Sequence, residues 1–391
     1  MTHSTIRPPT GPRWRLAAVA TVVLALLGAS VTVNAAVSAA VSAAVRAAAS
    51  AAPAAATCGA VPGDAEAVLT GNTWTSRSGT RTVYTGASML EAMRRAVAAL
   101  TPGRTVQQRV VVRGSGTMPA TQSLDLPSHT SLEVCGTVNV TGRVGGQNAV
   151  VQMQRVSNVD VPFLTVTGSV YFAVFIRNGS DIHLGQLDLR LGSGGLGVRI
   201  DNHGNRNTRS RNITIDSVYA SGGSSHGVET YGVDGLTIGT ITARNTGESG
   251  LLLNDTINAT IGTVDAIGAG TGTGYAAFRM ANRNGRIGNT YPTNIRVGQV
   301  IARGGGRGIF CVSESGGVVI DRIDIAGTGS NAILIENCYN VTLAAVSGTV
   351  RDKDIRIGSR SQFPVSSSVV IQNLSVTNSP VTESPCGRTN S

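Results

Sequence analysis

Aromatic residues make up only 4% of this 391-residue chain, charged residues 14%, and lysine occurs once, at Lys353. So few aromatics, with no basic run interleaved among them, exclude a surface built to stack and clamp nucleic acid. A lone lysine nearly removes lysine as a catalytic base, and leaves the formal charge of +10 to arginine. The five cysteines, at 58, 135, 311, 338 and 386, have none of the spacings of a zinc site. Helical periodicity is missing almost everywhere. The one early apolar run, over 16–27, is too short for a comfortable membrane span.

That run follows Arg7, Arg13 and Arg15 and precedes Val33, Asn34 and Ala35, a small-residue cleavage site. Residues 1–35 therefore read as a secretion signal. Residues 36–56, almost entirely Ala, Val and Ser, read as a linker. Four arginines and no acidic residue stand before position 57, so +6 of the charge belongs to the remaining domain of about 335 residues. A secreted, monomeric protein with that balance is expected to meet an anionic partner, with no membrane and no nucleic acid among its ligands. Genomic preference for arginine would give the same balance.

A repeat fills the C-terminal two thirds. The segments NVDVPFL, DIHLGQL, NITIDSV, GLTIGTI, NATIGTV, NIRVGQV, GVVIDRI, NVTLAAV and SVVIQNL begin at Asn158, Asp181, Asn212, Gly235, Asn258, Asn294, Gly317, Asn340 and Ser368. Successive starts lie 23, 31, 23, 23, 36, 23, 23 and 28 residues apart. A fixed period of this size means stacked units sharing one core, and Val, Ile and Thr broken by Gly and Asn make those units strands. The fold class is all-β, a parallel β-solenoid of 23-residue coils over 104–378, after an N-terminal cap over 57–103 and before a tail at 379–391. Ser88 to Leu100 is the one amphipathic helix, with Ser88 as N-cap, Glu91 three residues on and a stop at 101–103, placed to lid the open end.

Each coil carries a second strand upstream of the first: GVRID, GVETY, GLLLN, AFRMA, GIFCV and AILIE, beginning at 197, 227, 250, 277, 308 and 332. Alternation turns Val198, Val228, Leu251, Phe278, Ile309 and Ile333 inward, with Ile200, Thr230, Leu253, Met280, Cys311 and Ile335 as a second inward column. Arg199, Glu229, Leu252, Arg279, Phe310 and Leu334 then face out, beside Asp201, Tyr231, Asn254, Ala281, Val312 and Glu336. The long spacings insert 202–211 and 282–292 just after this strand, three coils apart, as two walls of one groove. Cys58 with Cys135 and Cys338 with Cys386 are the disulfides that exposure to an oxidising compartment would allow, with Cys311 left as a buried thiol. Asn-x-Ser/Thr at Asn139, Asn178, Asn212, Asn254, Asn258, Asn340 and Asn373 follows from turn-forming Asn before β-branched strands rather than from glycosylation.

This pattern resembles the right-handed parallel β-helix of the pectin-lyase-like superfamily over roughly 104–378. The resemblance implies a secreted polysaccharide lyase acting on a uronic-acid-containing polymer, pectate-like or hyaluronan- and glucuronan-like. Elimination needs the carboxylate neutralised, the C5 proton removed and the leaving oxygen protonated. His226 is expected as base and Tyr231 as acid, with Arg279 or Asn254 holding the carboxylate bidentately or by hydrogen bonds. Arg199, His203, Glu229, Arg283 and Glu248 are expected to bind substrate. No cofactor is required by that chemistry. Many relatives of the resembled family bind Ca²⁺ on this strand, and Asp201, Glu229 and Asn254 would be its ligands here, without the dense acidic cluster of those enzymes. Two other readings stay open: a glycoside hydrolase using Asp201 with Glu229 or Glu229 with Glu248, and a non-catalytic surface solenoid that binds polyanions.

Overall fold

The computed structural model describes residues 57–384 apart from Ser193 and Arg206. The signal and linker expected over 1–56, and Cys386, lie outside the described residues. Val and Ile at every second position drive the chain into parallel strands, and each coil contributes to two sheets, one of eighteen strands and one of eleven. In the broad sheet Val159, Ile182, Ile213, Leu236, Ala259, Ile295, Val318, Val341 and Val369 are successive register partners. Each directly follows the first residue of one repeat segment, so the 23-residue period is the coil length. The result is a parallel β-solenoid.

The polar or glycine position that opens each segment has a backbone cause. Asn158, Asp181, Asn212, Gly235, Asn258, Gly317, Asn340 and Ser368 all adopt φ between 52° and 82°. That left-handed conformation suits glycine and asparagine and disfavours most other residues. The asparagines also tie neighbouring coils together. Asn212 Nδ2 donates to Asp181 Oδ1 at 2.9 Å, and Asn258 Nδ2 to Asp234 Oδ1 at 2.7 Å. Asn294 differs: its Nδ2 holds the carbonyls of Gly285 and Pro292, closing the second insertion on itself.

Both inward columns of the narrower sheet are fully buried, every member at 0% exposure. Thr230, the one hydroxyl among them, is satisfied by Thr256 Oγ1 at 2.8 Å. Each buried aliphatic side chain stabilises the stack by about 1.5–3 kcal/mol. Cys311 corrects the expected disulfide pattern. It is bonded to Cys338, not free, across a Cα–Cα distance of 6.2 Å. Both cysteines point into the same core, so Cys338 is not available to the tail. Cys58 with Cys135 stands as expected.

The helix runs Met89–Ala98, and Ser88 Oγ accepts the Glu91 N–H at 3.2 Å. Glu91 turns to Arg94 instead of back to the cap, and the Ser88 N–H donates to the Tyr84 hydroxyl. Met89, Leu90, Ala92, Met93, Ala96 and Val97 bury the apolar face. Ahead of it stand three strands the repeat did not announce: Ala65–Thr70, Thr73–Ser78 and Arg81–Gly86, antiparallel to one another. The first also pairs in parallel with Gln108–Arg113, joining the cap to the solenoid. Among the described residues no helix is long and apolar enough to cross a membrane.

Candidate active site

The narrower sheet presents its outward face in the expected phase. Arg199 pairs with Glu229, Glu229 with Leu252, Leu252 with Arg279 and Arg279 with Phe310 in register. Adjacent rungs lie about 4.8 Å apart, so consecutive side chains in a column touch. A third outward column, hidden from simple alternation, runs upstream. Ala276 packs with Leu252 and Phe310 outside the main core, whereas the adjacent Ala277 points inside. The strand bends there, and Leu196, His226, Ser249, Ala276 and Arg307 follow one another at the edge of the sheet.

Across Leu196–Asp201 and its neighbours lies a cleft of about 520 Å³, lined by Tyr171, Phe172, Arg177, Arg199, Asp201, His203, Ser225 and Glu229 among others. A charge ladder forms its floor. Arg177 grips Asp201 bidentately, at 2.6 and 2.8 Å, and Arg199 reaches both Asp201 and Glu229. Asn254 Nδ2 completes the line, donating to Glu229 Oε1 at 3.3 Å. Burial alone would push the Asp201 carboxyl up, but the hydrogen bonds and charge of Arg177, with Arg199 behind it, hold it below the usual carboxylate range. The ladder is internally neutral: two guanidiniums, two carboxylates.

Beside it is a second cluster, built around Glu248. Glu248 Oε2 accepts from Ser225 Oγ at 2.6 Å and faces His226 Nε2 at 2.9 Å. The His226 hydrogen bond first, then Ser225, hold the Glu248 carboxyl down to about 2 against its burial. His226 Nδ1 accepts the Ser249 N–H at 2.9 Å, so Nε2 carries the hydrogen given to Glu248. The ring of Tyr275 stands edge-on to His226, with centroids 5.9 Å apart. Its hydroxyl meets Glu248, and that contact, followed by burial, raises the phenol pKa, while Arg279 pulls it down. The Arg279 guanidinium carbon sits 5.9 Å from the Tyr275 ring and 5.3 Å from Phe310. Among the described residues Arg279 has no ion pair and no hydrogen-bond acceptor, and its Nε is buried. Burial lowers its pKa.

The expected site residues are thus brought together in part. Arg199, Glu229, Asp201 and Asn254 form one connected line, and His203 stands exposed on the cleft wall. His226 and Tyr231, expected as base and acid, stand five residues apart, His226 before the strand Val228–Tyr231 and Tyr231 at its end, a span of about 16 Å for extended chain. That exceeds a single sugar ring, and both His226 nitrogens are already engaged. Tyr231 lies at the opposite end of the strand beside Asp201 and His203. Glu248 joins His226, and the residue that sequence reasoning missed is Tyr275.

The two insertions do not wall a common groove. The first, after Asp201, lines the cleft through His203 and Gly204. The second leans toward later coils: the Tyr291 hydroxyl donates to the Glu314 carbonyl, Arg283 pairs with Glu314, and Asn340 Nδ2 holds the Tyr291 carbonyl. Arg283 is therefore turned away from the cleft, and the cleft lies nearer the N-terminal coils than the spacings implied. The calcium ligand set fits poorly. Arg177 occupies both Asp201 oxygens, and Arg199 and Asn254 occupy Glu229, so two cations already stand where Ca²⁺ would bind. The one compact group of metal-ligating side chains among the described residues, Cys58, Glu133 and Cys135, contains a disulfide.

No protein-family model and no curated protein matches the chain. Among solved structures, similarity is found to the ORF18 protein of Geobacillus virus E2, at 12% identity and a TM-score of 0.33, covering 76% of this chain and 58% of that one. The A-module of a mannuronan C-5 epimerase from Azotobacter vinelandii is similar at 13% identity and a TM-score of 0.33, covering 75% and 95%. PfbA, a surface adhesin of Streptococcus pneumoniae, is similar at 13% identity and a TM-score of 0.30, covering 74% and 87%. The chain thus spans less than two thirds of the viral protein.

Proposed function

We propose that this is a secreted polysaccharide lyase that binds a uronic-acid-containing chain along the outward face of the narrower sheet and cleaves it by β-elimination. The observation that carries the reading is Arg279, a half-buried guanidinium with no ion pair or hydrogen-bond acceptor among the described residues, standing 5.9 Å from the ring of a tyrosine whose hydroxyl meets a carboxylate. Arg279 neutralises the uronate carboxylate, which acidifies the C5 hydrogen. Tyr275, once ionised, takes that hydrogen and returns it to the departing glycosidic oxygen. Glu248 and His226 act as positioning residues: they fix the phenol and set its pKa. Tyr171 and Phe172, in the cleft over the earlier coils, give a sugar ring an apolar platform. Two disulfides suit an oxidising, extracellular compartment.

Hydrolysis fits less well. Asp201 and Glu248 are both held below the usual carboxylate range, and Glu229, common to both candidate pairs, is bound by Arg199 and Asn254, whereas a glycosidase needs one carboxylic acid that keeps its proton and is free to give it. Incubation with pectate, hyaluronan, alginate and glucuronan tests the reading. Rising ultraviolet absorbance from unsaturated uronate is the expected result with at least one of them. New reducing ends without absorbance would mean a hydrolase, and binding with neither would mean an adhesin; either overturns the proposal.

A further inference from the structure

One rung beyond Arg279 stands a second arginine that the elimination reading does not use. Arg307 is 8% exposed, and its Nη1 is buried without a hydrogen-bond partner. Its Nε donates to Asn331 Oδ1 at 3.1 Å, and Asn331 in turn is held by Asp354. The guanidinium carbons of Arg279 and Arg307 both lie within 5.3 Å of the Phe310 ring centre. Neither arginine forms an ion pair with any described residue. Carboxylates act on both from a distance, Glu336 on Arg307 and Glu248 and Glu229 on Arg279, but Glu336 is bound to Arg360 at 2.8 Å, and Arg356 and Arg360 oppose it at Arg307.

A buried guanidinium whose N–H groups lack acceptors is costly to keep, so two neighbouring ones in this state are a preformed receptor for an anion. Planar forks select oxyanions that can accept two parallel hydrogen bonds. We propose that Arg279 and Arg307, across Phe310, form an oxyanion-binding subsite one rung past the reacting sugar, which takes a carboxylate or sulfate group of an acidic saccharide. The subsite rests on the acidic-saccharide part of the reading above and not on elimination. Burial is the largest influence on both arginines and lowers the pKa of each, against the carboxylates that act on them from a distance.

The test is calorimetric titration of the full chain with hexameric oligoglucuronate and, separately, a heparin-derived hexasaccharide, at low and raised salt. Arg307→Gln is expected to weaken binding about tenfold or more for the oligosaccharide whose anion the subsite takes. Loss with the first ligand alone assigns a carboxylate, and loss with the second alone assigns a sulfate. Arg190→Gln, on the other sheet, is expected to change nothing. Should Arg307→Gln fail to fold, Arg307→Lys keeps the charge without the fork and is expected to bind with intermediate affinity. Wild-type affinity of a folded Arg307 variant for both ligands, or no binding by the wild type, overturns the subsite. Tyr275→Phe separates the two proposals: it removes cleavage if the elimination reading holds, and its binding of the hexasaccharides still reports the subsite if that reading fails.

Discussion

The two outward faces of the solenoid use the same residue types in opposite ways. On the broad sheet the half-buried charges are answered, while Arg211 and Arg322 stand exposed without an ion pair among the described residues. His183 sits between Asp160 at 2.7 Å and Asp216 at 2.9 Å, Arg244 meets Asp265 at 2.7 Å, and Asp324 joins Arg303 and Arg351. These ladders run between neighbouring coils and are partly exposed, so each adds modestly to stability. On the narrower sheet the charges are more deeply buried, and the pairing stops at Arg279 and Arg307. A solenoid repeats its geometry along its length, so a break in the pairing is not imposed by the fold. On the proposed reading it marks the stretch where a ligand completes the electrostatics.

Substitutions on the two faces sharpen that contrast. The largest effect is expected from Tyr275→Phe, which should lower elimination by about 10²–10⁴-fold with little change in melting temperature. An equal loss from His183→Gln would erase the distinction. Next comes the internal staple: Cys311→Ser with Cys338→Ser should cost about 2–5 kcal/mol in chemical denaturation. Loss of backbone fit is smaller. Asn258→Ala forces alanine into φ of 54°, and should cost about 1–2 kcal/mol in the same measurement.

Two pH effects are subtler and opposite in kind. Glu248 raises the Tyr275 phenol, so Glu248→Gln should move the rising limb of the rate profile, set by ionisation of the Tyr275 base, to lower pH, whereas Arg279→Gln should move it higher. On the broad sheet the His183 imidazole is raised from 6.5 to about 9, first by its hydrogen bond to Asp160 and, against burial, by Asp216. The stability from this triad is fully present below pH 6.5 and fades as pH rises through about 9. The destabilisation caused by His183→Gln, read from melting curves, should shrink over that window, and a constant difference would contradict the assignment.

Much of this was legible in the sequence because a solenoid converts period into position. Burial of one face of every strand fixed the phase, and the register from Arg199 to Leu334 followed. Three features escaped for physical reasons. Arg307 belongs to the column of Ala276, where strict alternation fails, and Tyr275 lies one residue before the strand that Ala276 opens. Cys338 reaches Cys311 because 27 residues is little more than one coil, which stacks the two in one core. The N-terminal hairpins had a signal of their own: Gly71 and Gly79 open two-residue loops with φ of 59° and 55°. The cleft was misplaced because insertion length says where chain is added and not which way it leans.

The contrast between the faces has a direct readout in hydrogen exchange of the full chain with and without an acidic oligosaccharide, using the Tyr275→Phe protein to prevent turnover. Protection should appear on the strands Ala276–Ala281 and Arg307–Cys311 and around Ser225 to Glu229, with the broad sheet from Asp160 to Asp216 unchanged. Protection confined to the broad sheet, or spread evenly over both faces, would contradict the claim that the unpaired arginines mark the working surface.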